Sequence, residues 1–158
     1  MKRADLETRV VDDHHQALKL WLRLLSCTNL VEAEVRGRLR AEFDTTLPRF
    51  DLMAQLERHA GGLKMNELSR RLMVTGGNVT GITDQLESEG LVVRESDPAD
   101  RRTYTVKLTP AGRRAFARMA AAHENWVVGL FSGLAAAEKQ QVYRLLAKLK
   151  VSLEKENE

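Results

Sequence analysis

Residues 86–112 read LESEGLVVRESDPADRRTYTVKLTPAG, and the organisation of the chain follows from how this stretch changes period. Up to Glu89 the apolar spacing is helical. Gly90 ends that helix, and Leu91-Val92-Val93 starts a short β-type run. Residues 103–108 then alternate strictly, with Tyr104, Val106 and Leu108 on one face and Thr103, Thr105 and Lys107 on the other. Between the two runs lies SDPADRR (96–102), a polar segment with turn chemistry, so the pattern predicts a hairpin with a charged tip. Thr109-Pro110 opens the next helix, with Thr as cap and Pro at the first helical position, where no N–H is needed.

Upstream, Met65, Leu68 and Leu72 form one stripe of a short helix over 65–72. Met73-Val74-Thr75 makes a tight connection into a second helix, from Gly76 to about Glu89, whose first turn Thr75 can cap. Val79, Ile82 and Leu86 are its inward stripe. Its other face offers Thr75, Gly76, Gly77, Asn78, Thr80, Gly81 and Thr83, all small or hydrogen-bonding. Two short helices joined by a three-residue turn and followed by a charged hairpin predict a winged helix-turn-helix. Small groups let a helix lie deep in a major groove about 12 Å wide, where Asn and Thr can read base edges. Arg101 and Arg102 at the hairpin tip suit phosphates or the electronegative minor groove. Asp97 and Asp100 are placed to orient those guanidinium groups by forked hydrogen bonds.

Further out the chain is helical. Ala17, Leu18, Trp21, Leu22, Leu25, Leu39 and Phe43 recur at helical spacing over 12–43, with Gly37 marking a bend or a break. A second helix begins at Pro48, carries Leu52, Met53 and Leu56 inward and stops at Gly61-Gly62. The helix opened by Pro110 presents Phe116, Met119, His123, Trp126 and Leu130. After Ser132-Gly133 a last helix carries Val142, Leu145, Leu146, Leu149 and Leu153. The expected fold class is mainly α with a small β-wing: a winged helix-turn-helix lobe over 48–109, flanked by helices over 8–47 and 110–155, all in one domain spanning 1–158.

Composition narrows the function classes. The chain has 158 residues, 43% hydrophobic and 30% charged, with a formal net charge of +3. The basic groups are concentrated: Arg94, Arg101, Arg102, Lys107, Arg113, Arg114 and Arg118 face only Glu95, Asp97 and Asp100 in the stretch 94–118. No apolar run approaches the roughly 18 residues a membrane helix requires, and no apolar signal core follows Met1-Lys2-Arg3; the expectation is a cytoplasmic protein with no membrane partner. A single cysteine, Cys27, rules out an internal disulfide framework. There is no phosphate-cradling glycine loop, no metal-ligand spacing and no nucleophile elbow, so neither an enzyme nor a bound cofactor is expected. His14 and His15 point about 100° apart on a helix and lack the spacing of a helical metal pair, and His123 on its apolar stripe reads as a core imidazole.

The run LESEGLVVR (86–94), then DPADRR (97–102), then VKLTPAG (106–112) resembles the multiple-antibiotic-resistance regulator (MarR) family, and the flanking helices match that family's layout. The resemblance implies a homodimer in which the first and last two helices interlock. It also implies a pseudo-palindromic double-stranded DNA operator, usually bound as a repressor and released by a small molecule. Carried over residue by residue, the recognition positions are Thr75, Gly76, Asn78, Val79, Thr80 and Thr83, and the wing positions Asp100, Arg101 and Arg102. Gly81 and Gln85 depart from the family pattern, which often has Arg at both places.

Arg36, Arg38 and Arg40 are the expected contacts for an effector, with Trp21 counted alongside them. Arginine suits a carboxylate or phosphate, hence an aromatic acid or its coenzyme A thioester. Alternating arginines on a helix are also commonly solvated, and that reading stays open. Cys27 lies among Leu24, Leu25 and Leu30, which predicts an inert buried thiol; thiol-based redox sensing is the alternative signal. A winged helix used purely as a protein-interaction module is the alternative function.

Overall fold

The computed structural model describes residues 15–72 and 78–156. Among them the elements run α1 (Gln16–Phe43), α2 (Leu47–Arg58), β1 (Leu63–Lys64), α3 (Met65–Arg71), α4 (Val79–Ser88), β2 (Val92–Ser96), β3 (Tyr104–Leu108), α5 (Pro110–Leu130) and α6 (Ala136–Lys155). They fall into two compact units, one ending at His123 and the other beginning at Glu124.

In the first unit α1 runs unbroken through Gly37, where an added Cβ would meet nothing within 4 Å. Gly37 is therefore a tolerated helical glycine and no hinge. α1 stops at Asp44, whose left-handed backbone (φ 48°) lets its N–H reach Arg40 O; Thr45 N–H bonds Leu39 O at 3.3 Å. Thr46 caps α2, which starts one residue earlier than the Pro48 rule predicts and buries Leu47, Phe50, Leu52, Met53 and Leu56. The core gathers these side chains with Leu39, Leu68, Leu86, Val92 and Val106. Phe50 also meets the Phe116 ring at 5.4 Å and the His123 imidazole at 4.9 Å between centroids.

The wing is a three-stranded antiparallel sheet in the order β1-β3-β2. β2 and β3 pair as the hairpin the alternation predicts, with Val92 opposite Leu108 and Ser96 opposite Tyr104. β1 is an addition: two residues are too few to show a period, yet Leu63 pairs with Val106 and Lys64 with Thr105. Gly62 makes that pairing possible. Its φ is +87°, and a Cβ there would stand 2.4 Å from Thr105 Cγ2 and 2.7 Å from Val106 O. Tyr104 leaves the inward face that the alternation gave it and is exposed, while Val106 and Leu108 are buried. Thr109 locks sheet to helix: its hydroxyl accepts the Gly112 N–H (3.0 Å) and donates to Gly90 O (2.6 Å), and its N–H reaches Leu91 O.

In the second unit α6 has no buried residue, and Val142, Leu145, Leu146, Leu149 and Leu153 are all exposed. Phe131, Leu134, Val142, Tyr143 and Leu146 line an apolar hollow there of about 460 Å³.

Candidate nucleic-acid interface

Thr75 and Gly76 lie outside the described residues. Asn78 and Thr80 are exposed at the start of α4, and Val79 is half-buried. Ile82 and Leu86 face inward as the stripe predicts. Thr83 differs from the expectation. It is fully buried, and its hydroxyl donates to Val79 O at 2.7 Å, so it is a core position with no base-reading face. Gly81 leaves room for Asn78: a Cβ there would lie 3.3 Å from Asn78 Nδ2, so the bare glycine seats that amide.

The wing loop is braced by its own carboxylates. Asp97 Oδ1 accepts the Ala99 N–H at 2.9 Å, Asp100 Oδ1 accepts the Arg102 N–H at 3.0 Å, and Asp97 N–H bonds Thr103 O. The forked aspartate–arginine pairs expected from the sequence are thus replaced by turns in which the aspartates hold backbone. Arg101 and Arg102 stay exposed, and among the described residues neither pairs with a carboxylate. Other members of the basic stretch are engaged within the chain, Arg113 by donating to Leu108 O at 3.4 Å. Lys107 pairs with Glu95 at 2.8 Å, and Arg94 holds α4 through Asp84 (2.6 Å) and Glu87 (3.0 Å). The hydrogen bond that Arg94 donates to Asp84 leads the causes that raise the Arg94 pKa above its ordinary value.

A second arginine reaches α4 from the other side. Arg49 of α2 donates to Gln85 Oε1 at 3.4 Å and pairs with Glu89, while its Nε donates to Thr45 Oγ1 at 3.1 Å. Neither Arg49 nor the role of Arg94 was visible in the sequence, because their partners lie 36–40 and 7–10 residues away.

The expected effector residues are not brought together within the chain. Arg36 pairs with Glu32 at 2.6 Å, Arg38 with Glu34 at 2.8 Å and Arg40 with Asp44 at 3.3 Å, each across one turn of helix and exposed. Trp21 is exposed on the same helix, about 22 Å along its axis from Arg36. Asp51 on α2 is a group the sequence reading missed. Burial pushes its carboxyl up to about 6, against the pull of Arg36 and with a push from Glu32, and its Oδ2 is buried with no hydrogen-bond partner among the described residues. His123 is held below its ordinary value by burial. Cys27, expected to be buried, is exposed in the chain. No group of three His, Cys, Asp or Glu among the described residues could hold a metal ion, and no described helix is long and apolar enough to cross a membrane.

A short helix followed by α4, whose start exposes Asn78 and Thr80, and a wing locked to α4 whose two tip arginines meet no carboxylate among the described residues define a winged helix-turn-helix protein. The sequence model of the MarR family matches residues 43–103. A solved MarR family transcriptional regulator from Silicibacter pomeroyi is 31% identical over 91% of this chain and 99% of its own, with a TM-score of 0.78. The chain belongs to the MarR family of transcriptional regulators. It is also similar to the uncharacterized HTH-type transcriptional regulator YkoM of Bacillus subtilis, at 36% identity over 56% of this chain and 57% of that protein. A mutant MarR from E. coli, solved in complex with operator DNA, shares the fold at a TM-score of 0.73 and 24% identity, over 88% of this chain and 99% of that one.

Proposed function

We propose that this regulator binds duplex DNA as a homodimer. The start of α4 lies in the major groove, and Arg101 and Arg102 reach the backbone or minor groove alongside. The observation that carries the reading is the wing tip: two exposed arginines on a loop whose aspartates are already engaged with backbone, in a wing joined to a helix whose start bears exposed Asn78 and Thr80. Arg101 and Arg102 contribute affinity on any sequence, and Asn78 and Thr80 contribute choice among sequences. Val79, half-buried, adds at most an apolar contact to a thymine methyl. Asp100 acts by shaping the loop.

A second copy of the chain is the partner that the unburied apolar surface calls for. The exposed leucines and valines of α6, and separately Leu18, Leu20, Trp21, Leu25 and Leu30 of α1, are apolar side chains that a second copy would cover. A two-fold dimer would present two copies of α4 to the half-sites of a pseudo-palindromic operator. The signal is a small anionic or aromatic compound, such as an aromatic acid or its coenzyme A thioester, that favours the arrangement unable to bind and so relieves repression. A protein acting on operators works in the cytoplasm and needs no catalytic chemistry.

The deciding experiment is a titration of the purified protein against the DNA upstream of its own gene, at two salt concentrations, with and without a panel of aromatic acids and their thioesters. Salt-sensitive binding that one compound relieves is the expected result. An oxidant arm covers the exposed Cys27: release by oxidant that a Cys27→Ser protein resists would move the signal to the thiol. Absence of binding at low salt would overturn the DNA reading in favour of a protein-interaction module.

A further inference from the structure

α4 has no lysine or arginine of its own, and its C-terminal half bears Asp84, Glu87 and the C-cap Glu89. Carboxylates at that end add to the negative pole of the helix and are unfavourable there unless a cation answers them. The two cations that answer them come from outside: Arg94 from β2, and Arg49 from α2. Arg49 stands where its own helix gains least from a cation. It is the third residue after the Thr46 cap, near the positive pole of α2. Its location is explained by α4, whose last turn it neutralises.

Arg49 is also pinned from every side. Its backbone N–H donates to Thr46 Oγ1 at 3.4 Å, its Nε donates to Thr45, and its two terminal nitrogens meet Gln85 and Glu89. The side chain is 16% exposed, which limits screening by salt. Thr45 is buried and bonded through its N–H to Leu39 O in the last turn of α1. One guanidinium therefore ties the α1–α2 corner to the end of α4 farthest from Asn78.

We propose that Arg49 is a positioning residue that sets the aim of α4, and with it the sequence preference of the protein, without touching DNA itself. The proposal rests on the DNA-binding reading above. A ten-residue helix is about 15 Å long, so a tilt of about 10° at its C-terminal end moves its N-terminal end by roughly 2.6 Å. Hydrogen bonds to base edges fail over a much smaller displacement. Loosening the fork thus removes discrimination among sequences while leaving the unspecific attraction to phosphates, which the wing arginines supply.

The test uses the full chain and a duplex that the wild-type protein enriches from a randomised pool, alongside an unrelated duplex. In Arg49→Met, and in Glu89→Gln, the ratio of affinities for the two duplexes falls by roughly tenfold, the scale of a lost charge-assisted hydrogen bond. The salt slope and the affinity for the unrelated duplex at low salt stay as in the wild type. The double variant loses no more than the worse single one, because both remove the same contact. Arg49→Lys, which keeps the charge and loses the fork, recovers part of the ratio.

Loss on both duplexes, with a salt slope flatter by about one, would overturn the proposal by making Arg49 a phosphate contact. An unchanged ratio would also overturn it. Should Arg49→Met fail to fold, Glu89→Gln at the helix end decides: an unchanged ratio in that folded variant sinks the proposal. A wild-type protein that enriches no sequence overturns the DNA reading and this inference together. Enrichment that both variants reproduce overturns this inference alone.

Discussion

Arg94 donates to Asp84 at 2.6 Å, across the corner between the wing and α4. With Glu87 accepting from the same guanidinium and from the Arg94 backbone N–H, β2 and α4 are joined as one body. The pair is partly solvated, with Asp84 60% exposed, so its worth is that of a favourable surface network. Arg94→Gln is expected to cost about 0.5–1 kcal/mol and to lower the melting temperature by roughly 1–4 °C. Arg94→Lys should behave more like the Gln variant than like wild type, since an ammonium cannot hold two carboxylates in a fork. Thermal unfolding of the three proteins at one concentration checks this.

Two glycines should respond in opposite directions to alanine. At Gly112 an added Cβ would stand 1.9 Å from Leu91 O, where the first turn of α5 crosses the start of the wing. Backbone has to move, so Gly112→Ala is expected to destabilise by about 1–3 kcal/mol. At Gly37 the same change meets nothing within 4 Å in mid-helix and should stabilise by about 0.5–1 kcal/mol. Urea midpoints with unchanged m-values would bear both out.

The wing arginines contact no carboxylate among the described residues, so removing them should leave stability alone. Arg101→Ala and Arg102→Ala are each expected to weaken binding by a similar factor on every duplex and to flatten the salt slope by about one. A change in sequence preference instead would place these side chains on base edges.

Asp51 gives a pH dependence of definite sign. Its folded carboxyl titrates at about 6 against an ordinary 3.8, so the native chain holds a proton that the unfolded chain releases. Its contribution to stability is present below 3.8 and is lost as the pH rises through 6. Asp51→Asn mimics the protonated form. It should therefore raise the melting temperature above pH 6 and confer no advantage near pH 4, measured by melting across that range. His123, depressed by burial, works in the opposite sense: its neutral form stabilises above its unfolded pKa, and that support is lost on acidification. The Asn variant should leave this acid-side dependence isolated.

Much of the architecture was legible because local chemistry fixes it. The change of period at Gly90, the Thr109-Pro110 cap and the alternation over 103–108 each depend on neighbours in sequence, and each element forms where those signals stand. Thr83 was misassigned for an equally local reason. Positions 79, 82, 83 and 86 form one helical stripe, and a threonine can join it because its hydroxyl bonds back to the carbonyl four residues earlier. What could not be read were relationships made only by folding. β1 exists because Gly62 lets Leu63 lie beside Val106, and Arg49 matters because α2 passes the end of α4. Arg36, Arg38 and Arg40 looked like a cluster in the sequence, but the partners one turn away, Glu32, Glu34 and Asp44, take one each.

The aspartate turns of the wing tip also bear on how fast an encounter with DNA can succeed. Since Asp97 and Asp100 already hold the loop backbone, little chain entropy remains to be surrendered when the tip meets its target; only the arginine stems must settle. Such a preorganised tip makes capture a matter of diffusion and charge, with no folding step in between. Ionic strength is then the main lever on the association rate, and loosening the loop by replacing either aspartate with alanine should show chiefly as faster departure.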